Sequence, residues 1–404
     1  MLRITTTDMG LGKTYIGSEK LISFGRCVNL VICQKSKIED WIQHFENNYP
    51  GVVVRDLTNK VEFELFLSDT EELKKFSIGI INYELAWRRP ELLKLVDFTL
   101  MLDESSLIQN ATAKQTKFVL KLRPANVILL SGTPCSGKYE NLWTQGKLLG
   151  LDISQKLYLD TYVNRHLMDV GNAKVWIVDK TKPYKHVDRL KRKLREHGAI
   201  FKRTDECFSL PEQIFTDITV NVTKEYREFM KTSITYVEDT EFVGDTTLTK
   251  ILYARMLCGA HNKNKLSALK DLIQSTNDRL IIFYAFNADF DAIKQLCVKL
   301  DRPISVVNGR QRDLTAYEQE ENSITLCQYQ AGAKGLNLQL SNKIVYFDPT
   351  VKCEDYMQSQ KRTHRIGQER TCMYYRLICR DSIEKAVYSA LERGTDYTER
   401  LFEK

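Results

Sequence analysis

Residues 5–17 read TTTDMGLGKTYIG, and the fold turns on whether this stretch is a phosphate-binding loop. Gly10, Gly12, Lys13 and Thr14 form the G-x-G-K-T core of such a loop. A glycine turn exposes backbone N–H groups to phosphate oxygens, and the helix that follows adds positive potential at its amino end. In that arrangement Lys13 reaches the β and γ phosphates, and the Thr14 hydroxyl ligates Mg²⁺. Met9, Leu11 and Tyr15 complete the expected nucleotide-binding stretch. The match is partial, because the fuller pattern has glycine six residues before the lysine, where this chain has Thr7.

Length and composition set the frame. A chain of 404 residues exceeds what one hydrophobic core supports, so two domains are expected. A formal charge of +7 permits a polyanionic partner without requiring one. No apolar run approaches the roughly 18 residues of a membrane helix, and the first twenty residues lack a secretory apolar core. The ten cysteines include no C-x-x-C pair, which suits reduced thiols in a bacterial cytoplasm or a nucleus rather than a secreted or membrane protein.

Working outward from the loop, short apolar runs recur in two sets. The first comprises VNLVIC (28–33), GVVV (51–54), IGIIN (78–82), FTLMLDE (98–104) and NVILLSG (126–132). The second comprises RLIIFYAF (279–286), ISVVNG (304–309), ITLCQY (324–329), KIVYFDP (343–349) and YYRLIC (374–379). Continuous runs belong to strands covered on both faces, and helical patterns such as NADFDAIKQLCVKL separate them. This alternation predicts an α/β fold with one parallel sheet in each half. The expected division is 1–150, an N-terminal nucleotide-binding domain; 151–262, a helical connection with a basic run at 180–195; and 263–404, a C-terminal domain.

Two further constellations carry chemistry. Asp103 and Glu104 end an apolar run, so both carboxylates emerge at the carboxyl end of a buried strand, where open α/β sheets bind ligands. Asp103 is suited to hold Mg²⁺ through water, and Glu104 to orient or deprotonate an attacking water. Far downstream, QSQKRTHRIGQ (358–368) spaces Gln358, Arg362 and Arg365 so that a helix would place them on one face. Two guanidiniums and an amide there suit a γ-phosphate in its transition state.

These motifs, in this order, resemble the superfamily 2 helicase-like ATPases, in particular the SWI/SNF-type branch. DMGLGKT (8–14) resembles the branch's E-M-G-L-G-K-T. CQKSKIEDWIQHF (33–45) is similar to its motif Ia, sharing Ser36 and Trp41, and INYELAW (81–87) is similar to its T-T-Y-E element. DESSLIQN (103–110) resembles D-E-x-H-x-x-K-N, and LLSGTPCSGKYENLW (129–143) resembles L-T-G-T-P followed by E-L-W. QAGAKGLNLQLSNKIVYFDP (330–349) resembles the A-G-x-x-G-L-N-L motif, and THRIGQ (363–368) the A-H-R-I-G-Q ending. Departures are Ser106 for the usual His, Lys361 for an acidic residue, Gln34 for Pro and Thr7 for Asp. The short connection and D-E-S-S sequence are most similar to compact viral and bacteriophage members.

The resemblance implies two RecA-like domains in tandem with helical insertions between them. It implies an ATP- and Mg²⁺-dependent motor on DNA, expected to be double-stranded and held through phosphates without sequence specificity. Lys13, Thr14, Asp103 and Glu104 would face ATP from one domain, and Gln358, Arg362 and Arg365 from the other. Ser36, Trp41, Asn82, Ser131, Thr133, Gly332, Gly335 and Asn337 are the implied nucleic-acid contacts or couplers. Related ATPases read adenine with a glutamine before the loop. Only MLRI precedes TTTDMGLGKTYIG, so weak base selectivity is expected, with the ring on an apolar or aromatic surface near Tyr15; the alternative is that an upstream segment or another polypeptide supplies the adenine reader. A strand-separating DNA or RNA helicase is the alternative, and a non-hydrolysing nucleic-acid-binding module a lesser one.

Overall fold

A computed structural model describes residues 6–7, 12–72, 76–169, 171, 174–202, 209–332 and 336–400. The chain divides into two compact units, Met1–Cys207 with Asp396–Lys404, and Phe208–Thr395. No described helix is long and apolar enough to cross a membrane.

The first unit is built on five strands: β1 (Val28–Cys33), β2 (Val53–Asp56), β3 (Ser77–Asn82), β4 (Thr99–Asp103) and β5 (Asn126–Leu130). All pair in parallel, in the order β2-β3-β1-β4-β5. These are the five apolar runs of the sequence. They are continuous because β1, β3 and β5 are buried at every residue, and β4 at all but Asp103. Helix α1 (Lys13–Ser23) lies against the sheet at Gly17, where a Cβ would stand 2.6 Å from Leu130 Cδ1 and 3.0 Å from Met101 Sδ. Only glycine lets the helix come this close. Helix α2 (Ile38–Asn48) buries Ile38, Trp41 and Phe45 on the same side of its axis. Thr6–Thr7 pairs in parallel with Phe201–Lys202.

The second unit carries a seven-stranded sheet: β6 (Gln213–Val220), β7 (Leu280–Tyr284), β8 (Ile304–Val307), β9 (Arg312–Asp313), β10 (Ile324–Gln328), β11 (Lys343–Tyr346) and β12 (Cys372–Cys379). Their order is β6-β12-β11-β7-β10-β8-β9, parallel throughout except for the short β8–β9 pair. The stretch 151–262 is more mixed than its charged, helical pattern indicates. It contains the hairpins Arg165–Asp169 with Lys174–Val178 and Ile234–Val237 with Thr240–Val243, and the basic helix α3 (Val187–Glu196). It also contains β6, an eight-residue strand that completes the second sheet. Its first part falls in one unit and the rest in the other.

The second unit also encloses charge. Lys265, on α4 (Lys263–Gln274), is fully buried with Nζ 2.5 Å from Glu384 and 3.1 Å from Asp348. Burial opposes its charge, but those two carboxylates outweigh it and hold the ammonium. Asp289, in the first turn of α5 (Asn287–Lys299), accepts from the N–H groups of Ala260 and Phe286. Desolvation and the neighbouring Asp348 raise its pKa well above the usual carboxylate range.

Candidate nucleotide site and arginine segment

In the first unit, Gly12 takes the left-handed conformation (φ 71°) that glycine accepts without strain, and α1 begins at Lys13. No side chain caps this helix, so the first N–H groups, the Lys13 ammonium and the Thr14 hydroxyl have no partner among the described residues. Met9, Gly10 and Leu11 lie outside those residues. Tyr15 is 58% exposed and meets the edge of His44 with centroids 4.7 Å apart.

Asp103 ends β4, and Glu104 immediately turns the chain with φ 57° and ψ 58°. A non-glycine residue in this region stores roughly 1–3 kcal/mol and persists only where its surroundings fix it. Here the Tyr83 hydroxyl donates to the Asp103 carbonyl (2.9 Å), and Leu107 N–H to the Glu104 carbonyl (3.0 Å). The Asp103 Oδ2 accepts from the Trp41 indole at 2.9 Å. Desolvation and the Glu104 charge raise the Asp103 pKa, while the Trp41 hydrogen bond, Lys13 and Lys37 lower it. Lys13, the first residue of α1, therefore acts electrostatically on Asp103. Glu104 Oε1 accepts from Ser106 (3.2 Å) and Ser131 (3.3 Å). Ser106, the departure from histidine, therefore orients the candidate general base.

Other expected positions are mostly interior. Ser131 and Thr133 are fully buried, and Thr133 N–H donates to Ser131 Oγ (3.1 Å). Asn82 is 6% exposed and donates to Glu84 (2.7 Å). Trp41 is 2% exposed, so its side chain offers almost no surface for a nucleic-acid contact. Ser36 is exposed, in the turn Lys35–Lys37 that leads into α2. Sequence reading did not single out the amides that bind these motifs together. Gln109 Nε2 donates to the Pro134 carbonyl (3.1 Å) and Ser136 (2.8 Å), Asn141 donates to Gln109 (2.9 Å), and Gln145 donates to the Pro134 carbonyl (2.5 Å). Their partners lie 11 to 32 positions away, so no local pattern reveals them.

In the second unit, α6 (Cys353–Gln360) stops before the arginines, so Gln358, Arg362 and Arg365 do not share a helix face as their spacing suggested. Gln358 is 1% exposed and donates to Glu354 (3.1 Å). Arg362 is 9% exposed; its Nε donates to the Gln358 carbonyl (3.1 Å) and Nη1 to that of Leu336 (2.9 Å). Arg365 is the more open of the two, and its Nη1 donates to Asn337 Oδ1. Desolvation lowers its pKa without threatening its charge. Leu338 N–H donates to the Arg362 carbonyl, and Gln368 Nε2 to those of Gln339 and Ser341. The segments 336–341 and 362–368 thus form one stapled element. Gly332 ends the short helix Tyr329–Gly332, and Gly335 lies outside the described residues.

The donor set fits Mg²⁺ and a nucleotide. Asp103 Oδ1 has no hydrogen-bond partner among the described residues, the Thr14 hydroxyl is open, and Lys13 with the uncapped end of α1 offers positive charge.

Comparison with known families agrees with this chemistry. The SNF2-related domain matches residues 4–266, and the helicase conserved C-terminal domain matches 264–367. The chain belongs to the SNF2-related family. A Bacillus subtilis protein described as a candidate ATP-dependent helicase/translocase, YwqA, is 23% identical over 98% of this chain and 46% of its own length. The mouse SWI/SNF-related matrix-associated actin-dependent regulator of chromatin subfamily A member 1 is 23% identical over 96% of this chain and 40% of its own. The chain therefore spans less than half the length of these curated relatives. Among solved structures, the Sulfolobus solfataricus SWI2/SNF2 ATPase core in complex with dsDNA aligns with a TM-score of 0.44 and 19% identity, over 100% of this chain and 90% of that one.

Proposed function

We propose that this chain is an ATP-dependent translocase that hydrolyses ATP and moves on duplex DNA. The observation that carries the reading is the acidic pair at the end of β4: Asp103 and Glu104 are each oriented by their own hydrogen-bond donors, within electrostatic reach of Lys13. The amino end of α1 and Lys13 would hold the phosphates, and Thr14 and Asp103 would hold Mg²⁺. When bound, the metal neutralises charge on the β and γ phosphates. Glu104, fixed by Ser106 and Ser131, accepts a proton from the attacking water. Arg365 is the arginine we assign to stabilising charge that develops on the γ-phosphate. Arg362 and Gln358 serve by holding the segment that presents it.

Duplex DNA as the track rests on membership of the SWI/SNF-type branch. Ser36 and the basic face of α3, where Leu190 and Leu194 are buried and Arg189 and Arg192 exposed, are the proposed phosphate contacts. A triplex-displacement assay, which reports translocation, run beside a strand-displacement assay tests the reading. ATP-dependent triplex displacement with the duplex left intact is expected. Efficient strand separation would replace the translocase with a helicase.

A further inference from the structure

The Trp41 indole is the feature of the first unit that its motif assignment leaves unexplained. It is 2% exposed, its ring stacks on Phe45 (5.6 Å, 26° between planes) and meets the edge of His44 (5.9 Å), and Nε1–H points at Asp103 Oδ2 across 62 positions of sequence. An indole nitrogen only donates, so it addresses the carboxylate and nothing else on that side. The terminal torsion of an aspartate is otherwise broad and nearly two-fold, and leaves the oxygens free to exchange. Burial and stacking on Phe45 give the Trp41 N–H one direction, so Oδ2 is fixed and Oδ1 is left as the oxygen open to a ligand. Tyr83 fixes the same residue from the main-chain side through the Asp103 carbonyl.

We propose that Trp41 is a positioning residue for the metal: its N–H locks the Asp103 carboxylate so that Oδ1 alone is presented to Mg²⁺-bound nucleotide. The inference rests on the ATPase reading above. It moves Trp41 from the nucleic-acid side of the molecule to the outer shell of the metal site. Outer-shell hydrogen bonds of this kind change metal affinity by roughly 10–100-fold.

The test is Trp41→Phe, which keeps the aromatic packing and deletes the donor. Affinity for a fluorescent ADP analogue is measured with Mg²⁺ and with EDTA, and Mn²⁺ binding to the ADP complex is followed by EPR. The expected result is a roughly 10-fold or greater rise in half-saturating metal, with metal-free nucleotide affinity within about twofold of wild type. In an Asp103→Asn background the same substitution is expected to have no further effect on metal, because both changes act on one carboxylate. Equal metal dependence in wild type and Trp41→Phe overturns the inference. A wild-type protein that binds nucleotide with no metal dependence overturns the ATPase reading instead. Should Trp41→Phe fail to fold, wild-type protein with ¹⁵N-indole labels provides the readout. Of the four tryptophan signals, one should move on Asp103→Asn and the same one on adding Mg²⁺ with ADP; no such signal also overturns the inference.

Discussion

Replacing Gly17 with alanine probes how the nucleotide helix is seated. The added Cβ would stand 2.6 Å from Leu130 Cδ1 and 3.0 Å from Met101 Sδ, and neither Leu130 nor Met101 has any exposed surface into which to retreat. Carbon atoms pack at about 3.5–4.0 Å, so α1 must lift by about 1 Å or the sheet side chains must leave their rotamers. Overpacking of this kind costs roughly 1–3 kcal/mol. Alanine returns roughly 0.5–1 kcal/mol through its better helix propensity, leaving a net loss of up to about 2.5 kcal/mol. For a unit of this size that corresponds to a fall of up to about 10 °C in Tm. The functional cost is larger, because Lys13 and Thr14 ride on the same helix, and a displacement of about 1 Å at a reacting group costs roughly 10²-fold in rate. Thermal melting and steady-state phosphate release on Gly17→Ala check both numbers, with Gly309→Ala as control because its Cβ would meet nothing within 4 Å. A Gly17→Ala protein with wild-type Tm and turnover would refute the close seating of α1.

The two arginines are expected to separate. Arg365→Ala should lower turnover by roughly 10³-fold or more with little change in Tm, whereas Arg362→Ala leaves the Leu336 and Gln358 carbonyls unsatisfied and should cost about 2–3 kcal/mol. The opposite pattern would exchange their roles. The Asp289–Asp348 pair makes the second unit sensitive to base: native Asp289 keeps a proton that the unfolded chain gives up, so stability present below about pH 4 is lost as pH rises toward the raised native pKa. Asp348→Asn should flatten the fall of Tm as pH rises above the ordinary carboxylate range, and an unchanged slope would assign the effect elsewhere. Removing Arg189 and Arg192 should reduce the log–log salt slope of DNA binding by about 0.9 per lost phosphate contact, while an unchanged slope would mark α3 as solvated surface.

What the sequence reveals and conceals follows from burial. The ten apolar runs announce themselves because nearly all of those strands are covered on both faces. The β6 strand, QIFTDITV, escapes that reading because it is an edge: Ile214 and Phe215 are 37% and 43% exposed, and the run is broken by polar residues. The loop, the acidic pair and Arg365 are legible as motifs, since each needs a fixed local spacing. Gln358 and Arg362 share the spacing but turn inward, because α6 ends at Gln360 and the chain then folds against 336–341. Trp41 on Asp103 and the Gln109–Pro134–Gln145 contacts join distant segments, which no periodicity encodes.

The central claim is that Glu104 activates water for ATP hydrolysis that DNA stimulates. It is tested most directly by phosphate release from wild type and Glu104→Gln, each with and without duplex DNA, beside nucleotide binding. Wild type should show DNA-stimulated turnover, and the variant a loss of at least roughly 10²-fold with nucleotide affinity retained within about twofold, since the carboxylate acts on water rather than on docking. Near-normal hydrolysis by Glu104→Gln would contradict it.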